Sequence, residues 1–375
     1  MADILEYITW RGDLDFELVP LNEVDALILC QLSYLDFGGI VGDGFSAGVT
    51  VREAADRFFA AEDSSRRSDV GALINFKTVE LLKAAGKSVR FGSLLMCGYV
   101  AQTDEVEELQ FAAVTFVCGK LRRPRWSFVA YRGTDDTIVG WKEDFNLGYK
   151  DTVPAQRSAA AYLAGAARNL KGALYAGGHS KGGNLALFAA ACAEKGVQRR
   201  LLSVFNNDGP GFSDSFFAGA GYRAVEDRVQ TFVPRLSVVG MLFSHPEHFT
   251  TVVSGEKNML MQHDPFSWFV RANGFEECSG LGERSRFVGK TVNEWFSDLS
   301  KEEKELFIET VFGVLKDTEA KTNSELAANW FNSAVKMVKS ASQLNPKTRE
   351  AVTKTVQLLI KIMVDELRHG NAPEA

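Results

Sequence analysis

Gly178-His179-Ser180-Lys181-Gly182 reads as G-x-S-x-G, a spacing suited to nucleophilic catalysis. A serine on a sharp strand-to-helix turn adopts strained backbone angles, and glycines two positions to either side let neighbouring backbone pass close by. The pattern is short, and 33 glycines in 375 residues make chance matches common, so context must carry it. A short apolar run at 173–176 precedes the motif, Gly177 and Gly183 flank it, and a small-residue helical stretch follows from Leu185 to Cys192. We read Ser180 as the candidate nucleophile; the alternative is an ordinary serine in a tight turn.

A serine hydroxyl needs a base to take its proton as it attacks. The chain has five histidines. His179 adjoins the serine and would point away from it, which makes it structural, and His369 lies near the terminus. That leaves His245, His248 and His263, all of which satisfy the chain order serine, acid, histidine. His263 follows the last strand-like run, 249–253, where a loop can return over the sheet edge. The proline inside His245-Pro246-Glu247-His248 rules out a helix-borne zinc pair, and no third ligand accompanies it.

The acid belongs at the end of the strand after the nucleophile helix. Residues 201–205 run into Asn206-Asn207-Asp208-Gly209-Pro210, which holds Asp208 near the serine, although Asp-Gly before Pro also makes an ordinary turn. Asp264, beside His263, is the other candidate. Arg132-Gly133-Thr134 ends a strand upstream of the motif. A backbone amide there, with that of Lys181, can form an oxyanion hole, and Thr134 can add its hydroxyl. Trp141 and Asp144, in GWKEDF, would buttress this loop.

The surrounding pattern is α/β. Residues 1–90 read as a helical segment packed on the core. Asn22 caps one helix, and others cover 51–61 and 69–85, the last ending at Gly86. Runs 93–103, 109–118 and 126–131 are consecutive antiparallel strands, with 120–125 (KLRRPR) as a solvated hairpin tip. Helices at 154–170 and 184–195 alternate with strands at 173–176, 201–205, 229–233 and 249–253. The expected core, 91–290, is thus a mostly parallel central sheet flanked by helices. From about Thr291 the strand signal ends. A capping box at Ser300-Lys301-Glu302-Glu303 and an Asn345-Pro346 helix start mark 291–375 as a helical C-terminal region, a lid or a cover.

Composition bounds the function. A net charge of −6, with 46% hydrophobic and 24% charged residues, describes a globular chain without the basic face of a nucleic-acid binder. The five cysteines show no CxxC spacing, which excludes a zinc ribbon and argues against a disulfide framework. The acidic opening lacks a signal-peptide core, and no run reaches about 18 uninterrupted apolar residues. The expectation is a cytoplasmic protein without stable membrane insertion.

Residues 126–268 resemble the core of the class 3 (fungal-type) lipases. The F-R-G-[ST] loop of that family is matched by Tyr131-Arg132-Gly133-Thr134, its W-x-x-D segment by Trp141 to Asp144, and its G-H-S-x-G-G turn by Gly178 to Gly183. Its V-P-x-L-P segment is matched by Val233-Pro234-Arg235-Leu236-Ser237. The resemblance implies an α/β-hydrolase fold, puts the catalytic histidine on His263 and the oxyanion residue on Thr134. The family places its acid just before V-P, where this chain has Thr231-Phe232; either the acid has moved to Asp208 or the triad is incomplete. Over most of its length the chain also resembles a bacterial lipase-like family of unknown function. The expectation is a serine esterase acting on a small-molecule ester or lipid through Ser180, His263 and Asp208, with no cofactor, since a triad needs none. A hydrolase-fold binding protein without turnover is the alternative.

Overall fold

The computed structural model describes residues 2–68, 70, 74–135, 138–148, 150–245, 248–259, 261–297 and 300–305. Its centre is an eight-stranded sheet in sequential order. The strands are β1 (Val49–Thr50), β2 (Leu95–Asp104), β3 (Leu109–Lys120), β4 (Arg123–Tyr131), β5 (Ala173–His179), β6 (Leu201–Asn207), β7 (Val229–Pro234) and β8 (Thr250–Val252). Pairing is antiparallel from β1 to β4 and parallel from β4 to β8. The expected antiparallel meander is present, and its tip narrows to Leu121 and Arg122. A two-stranded hairpin, β9 (Val270–Arg271) with β10 (Gly274–Phe275), follows.

Both faces of the sheet are covered by helices. Those of eight or more residues are α1 (Ile4–Arg11), α2 (Glu23–Leu32), α3 (Val51–Ala60), α4 (Lys77–Lys87), α5 (Ile138–Asn146), α6 (Pro154–Asn169), α7 (Lys181–Cys192) and α8 (Glu283–Ser297). Side chains alternate across a strand, and β4 divides accordingly. Phe128 and Ala130 join a cluster with α1 to α4, while Val129 and Tyr131 join one with α6 and α7. Among the described residues no helix is long and apolar enough to cross a membrane.

Several boundaries differ from the sequence expectation. The helix expected over 69–85 begins at Lys77 and runs through Gly86 to Lys87; Asp69 and residues 71–73 lie outside the described residues. Gly86 ends nothing: a Cβ there would sit 2.8 Å from the Ala55 Cβ, so this glycine serves the approach of α4 to α3. Helix α7 starts directly after Ser180, three residues before the expected position, and stops at Cys192. Helix α8 begins at Glu283, ahead of Thr291. The capping box at Ser300 is present, with the Ser300 N–H donating to Glu303 Oε2 at 2.9 Å and the Glu303 N–H to Ser300 Oγ at 3.2 Å. The helix expected from Asn345-Pro346, and His369, fall outside the described residues.

One buried ion pair fastens the amino-terminal helices. Asn22 and Asp25 form the capping box of α2. Asp25 also takes the guanidinium of Arg90, with Nε to Oδ1 at 2.7 Å, and both side chains are fully buried. Arg90 donates further to the carbonyls of Leu14 (2.9 Å), Val19 (3.1 Å) and Pro20 (3.1 Å), which closes the loop between α1 and α2 over it. Removing one partner leaves a buried charge uncompensated. Arg90→Met is therefore expected to cost about 3–5 kcal/mol in urea unfolding at pH 7. Pairing it with Asp25→Leu should recover part of that loss, and a single-variant loss below about 1 kcal/mol would remove this account.

Candidate active site

Parallel register brings four chain segments to one edge of the sheet. Tyr131 pairs with Gly178, His179 with Asn207, and Asn207 with Phe232. The residues that follow β4, β5 and β6 therefore leave the sheet side by side, which sets Gly133, Ser180 and Asp208 along a common edge. Ser180 joins β5 to α7 at φ 57° and ψ −136°, and its N–H donates to the Asn207 carbonyl at 2.9 Å. A non-glycine residue held there stores on the order of 1–3 kcal/mol of strain. The glycines around it are sterically compelled. A Cβ on Gly178 would lie 2.0 Å from the Gly182 carbonyl carbon, one on Gly182 would lie 2.2 Å from the Tyr131 oxygen, and one on Gly183 would lie 2.1 Å from Asn206 Oδ1.

Asp208 and His263 meet. Asp208 is fully buried at φ 51°, with its N–H on the Phe232 carbonyl at 2.7 Å. Its Oδ2 lies 2.6 Å from His263 Nδ1, and its Oδ1 accepts the Ser237 hydroxyl at 2.5 Å. Ser237 is itself held from α8, because Ser285 Oγ donates to its carbonyl at 2.5 Å. The turn carrying His263 is clamped by its neighbour Gln262, which accepts the Leu236 N–H at 2.9 Å and donates to the Glu256 carbonyl at 2.6 Å.

The other candidates stand apart. Asp264 accepts Asn75 Nδ2 at 2.6 Å and the Phe266 N–H at 3.0 Å, so its two oxygens serve a loop contact and the cap of a short turn. His245 holds the Leu242 carbonyl through Nε2 at 3.0 Å, and burial pulls its pKa down to about 4. His248 is exposed. His179 is buried between Tyr34 and the His263 carbonyl, and burial keeps its imidazole neutral by holding its pKa well below the ordinary value.

Thr134 is buried, and its hydroxyl donates to Asp144 Oδ2, so Asp144 does brace this loop. The Trp141 side chain lies outside the described residues. The amides of Thr134 and Lys181 donate to no protein acceptor among the described residues. Sequence reasoning considered Lys181 only for its amide, yet its side chain is fully buried. The ammonium donates to Gln110 Oε1 (2.5 Å), the Gln110 carbonyl (3.2 Å) and Glu143 Oε2 (3.1 Å). Glu143 also accepts the N–H groups of Gln110 (3.1 Å) and Ala155 (2.8 Å), so one cation joins α7, α5 and β3. Asp144 keeps 28% of its side-chain surface, but its Oδ1 is enclosed 3.7 Å from this ammonium. Burial raises the Asp144 pKa to about 6 against the opposing pull of Lys181.

The chain belongs to the Mbeg1-like family, whose model matches residues 85–313. No match is found among curated proteins. Among solved structures the chain is similar to the crystal structure of M37 lipase, with a TM-score of 0.35 and 14% identity, covering 59% of this chain and 70% of that one. It is also similar to the Rhizomucor miehei lipase propeptide complex, with a TM-score of 0.31 and 13% identity, covering 66% of this chain and 78% of that one.

Two measurements check this geometry. Gly178→Ala should destabilise by about 2 kcal/mol or more, because backbone must move to admit the methyl. Gly196→Ala, where the nearest atom is the Arg199 side chain at 4.0 Å, should be neutral or stabilising. Equal melting temperatures would discount the close approach. His245 must stay neutral to remain buried. Its contribution is complete above its ordinary pKa of 6.5 and is lost as pH falls through about 4. His245→Gln should therefore flatten the decline in stability between those values, by at most about 1.4 kcal/mol per pH unit.

Proposed function

We propose that this member of the Mbeg1-like family is a serine hydrolase that cleaves a carboxylic ester through an acyl-enzyme. One observation carries the reading: a fully buried carboxylate, Asp208, hydrogen-bonds His263 Nδ1 at 2.6 Å beside the strained turn that holds Ser180. With Nδ1 engaged by Asp208, His263 Nε2 is the nitrogen free to take the Ser180 proton. Ser180 Oγ attacks the ester carbonyl carbon, and the amides of Thr134 and Lys181 receive the developing oxyanion. Collapse breaks the ester C–O bond, and the alcohol leaves with the proton held on His263. Water then adds to the acyl-enzyme by the same route and regenerates the serine.

The substrate class is a small-molecule ester or lipid, a reading that rests on the resemblance of residues 126–268 to class 3 lipases. A binding protein without turnover would explain Thr231-Phe232 in place of the acid that family carries before V-P. The contact between Asp208 and His263 weighs against it, because an acid one strand earlier fills the same role.

Labelling with a fluorophosphonate tests the proposal. The wild-type protein should gain one adduct by intact mass, and Ser180→Ala should gain none while melting as the wild type does. Asp208→Asn should slow labelling by about 100-fold or more, since an amide there favours the wrong imidazole tautomer. An unlabelled wild type that is folded, or an adduct that persists in Ser180→Ala, overturns the assignment.

A further inference from the structure

Tyr34 lies just beyond the carboxyl end of α2, outside residues 85–313 and far in sequence from every residue placed in the candidate site above. Its phenol is 6% exposed and sits beneath the candidate site. The hydroxyl is 3.2 Å from the His179 carbonyl oxygen and 3.3 Å from His179 Nδ1. Gly133 packs directly on the phenol oxygen: a Cβ on Gly133 would lie 2.3 Å from it and 3.1 Å from the Ser180 Cβ. On its far side the His179 ring passes the contact on. Its Nε2 is 2.8 Å from the His263 carbonyl oxygen, and the two imidazoles lie 4.5 Å apart at an interplanar angle of 33°.

Hydrogen-bond chemistry fixes the His179 tautomer. A carbonyl only accepts, so His179 Nε2 must carry the proton that meets His263 O. A neutral imidazole then has Nδ1 as an acceptor, and the single phenol O–H is shared between that nitrogen and the His179 carbonyl oxygen. Burial pushes the phenol pKa well above its ordinary value, so the O–H is retained at neutral pH.

We propose that Tyr34 and His179 are positioning residues that lock the oxyanion loop, the serine turn and the backbone of the base into one geometry. The amino-terminal segment thereby supplies a working part of the site. This rests on the hydrolase reading, in which Thr134, Ser180 and His263 act together. A pair of loops free to drift by about 1 Å would lose on the order of 100-fold in rate. Neither positioning residue touches substrate, so the effect falls on the rate of the covalent step and not on affinity.

The experiment compares Tyr34→Phe, His179→Phe and His179→Gln with the wild type, all first shown to be folded by their melts. Saturable inactivation by a fluorophosphonate separates a binding constant from a maximal rate, and ¹⁵N-histidine NMR reads each imidazole's tautomer. We expect the wild-type His179 to be neutral with the proton on Nε2. His179→Phe should lower the maximal rate about 10–100-fold with the binding constant unchanged. His179→Gln, whose amide keeps an N–H at the same reach, should restore most of it. Tyr34→Phe should act in the same direction, more weakly, and shift the His263 nitrogen resonances. A wild-type His179 protonated on Nδ1 overturns the proposal, as do rates within twofold of wild type together with unmoved His263 resonances. If the wild type is not labelled but Tyr34→Phe and His179→Phe still move the His263 resonances, positioning stands and the hydrolase reading falls.

Discussion

The close approach of two backbone segments at Gly178 and Gly182 is the constraint on which the edge of this sheet depends. The space between them is too small for a methyl group, with an added Cβ only 2.0 Å from the Gly182 carbonyl carbon. That approach forces the chain to reverse within one residue, and Ser180 takes up the reversal at φ 57°. Because β5 lies between β4 and β6, the turn rises between Gly133 and Asp208, and the serine projects from the edge where they also emerge. Asp208 repeats the device on the neighbouring strand at φ 51°. Two strained residues at adjacent strand ends cost on the order of 1–3 kcal/mol each and persist only where the surroundings over-determine them.

Buried polar groups provide that over-determination, because each is expensive to leave unpaired and so fixes what it touches. The Lys181 ammonium binds the first turn of α7 to Glu143 on α5 and to Gln110 on β3. Helix α5 also carries Asp144, which accepts the Thr134 hydroxyl. On the other side of the serine, Ser285 holds Ser237, Ser237 holds Asp208, and Asp208 holds His263. Two chains of contact thus flank the turn at Ser180.

What the sequence makes legible follows from how local each requirement is. The serine turn can be read from five residues, because a reversal of this kind needs glycine at fixed offsets whatever packs around it. Asp208 can be read from its place after an apolar strand, since parallel strands end at a common edge. The histidine that meets Asp208 is harder: chain order leaves His245, His248 and His263 open, and it takes the place after the last strand-like run together with the resemblance to point to His263. Gly86 misleads because nothing near it in sequence reveals α3 packing against it. The buried roles of Lys181, Ser237 and Tyr34 have no local signal at all. A lysine after a serine reads as solvated, and a tyrosine after an apolar helix reads as core.

Those illegible residues share a physical origin. Each acts across a large gap in sequence, 145 positions for Tyr34 and His179 and 71 for Lys181 and Gln110. Contacts of that range form only after the loops between them have been closed, at an entropic cost that grows slowly with length. The strain at Ser180 and Asp208 must be carried by contacts that exist only in the complete fold. An isolated β5–turn–α7 unit would therefore relax away from the angles that expose the serine. Held from both faces and from the amino-terminal helices, the same five residues keep a geometry their own sequence does not favour. The helices around α2 thus help to hold the edge as well as the core, because Arg90 and Asp25 hold α2 in place and α2 delivers Tyr34.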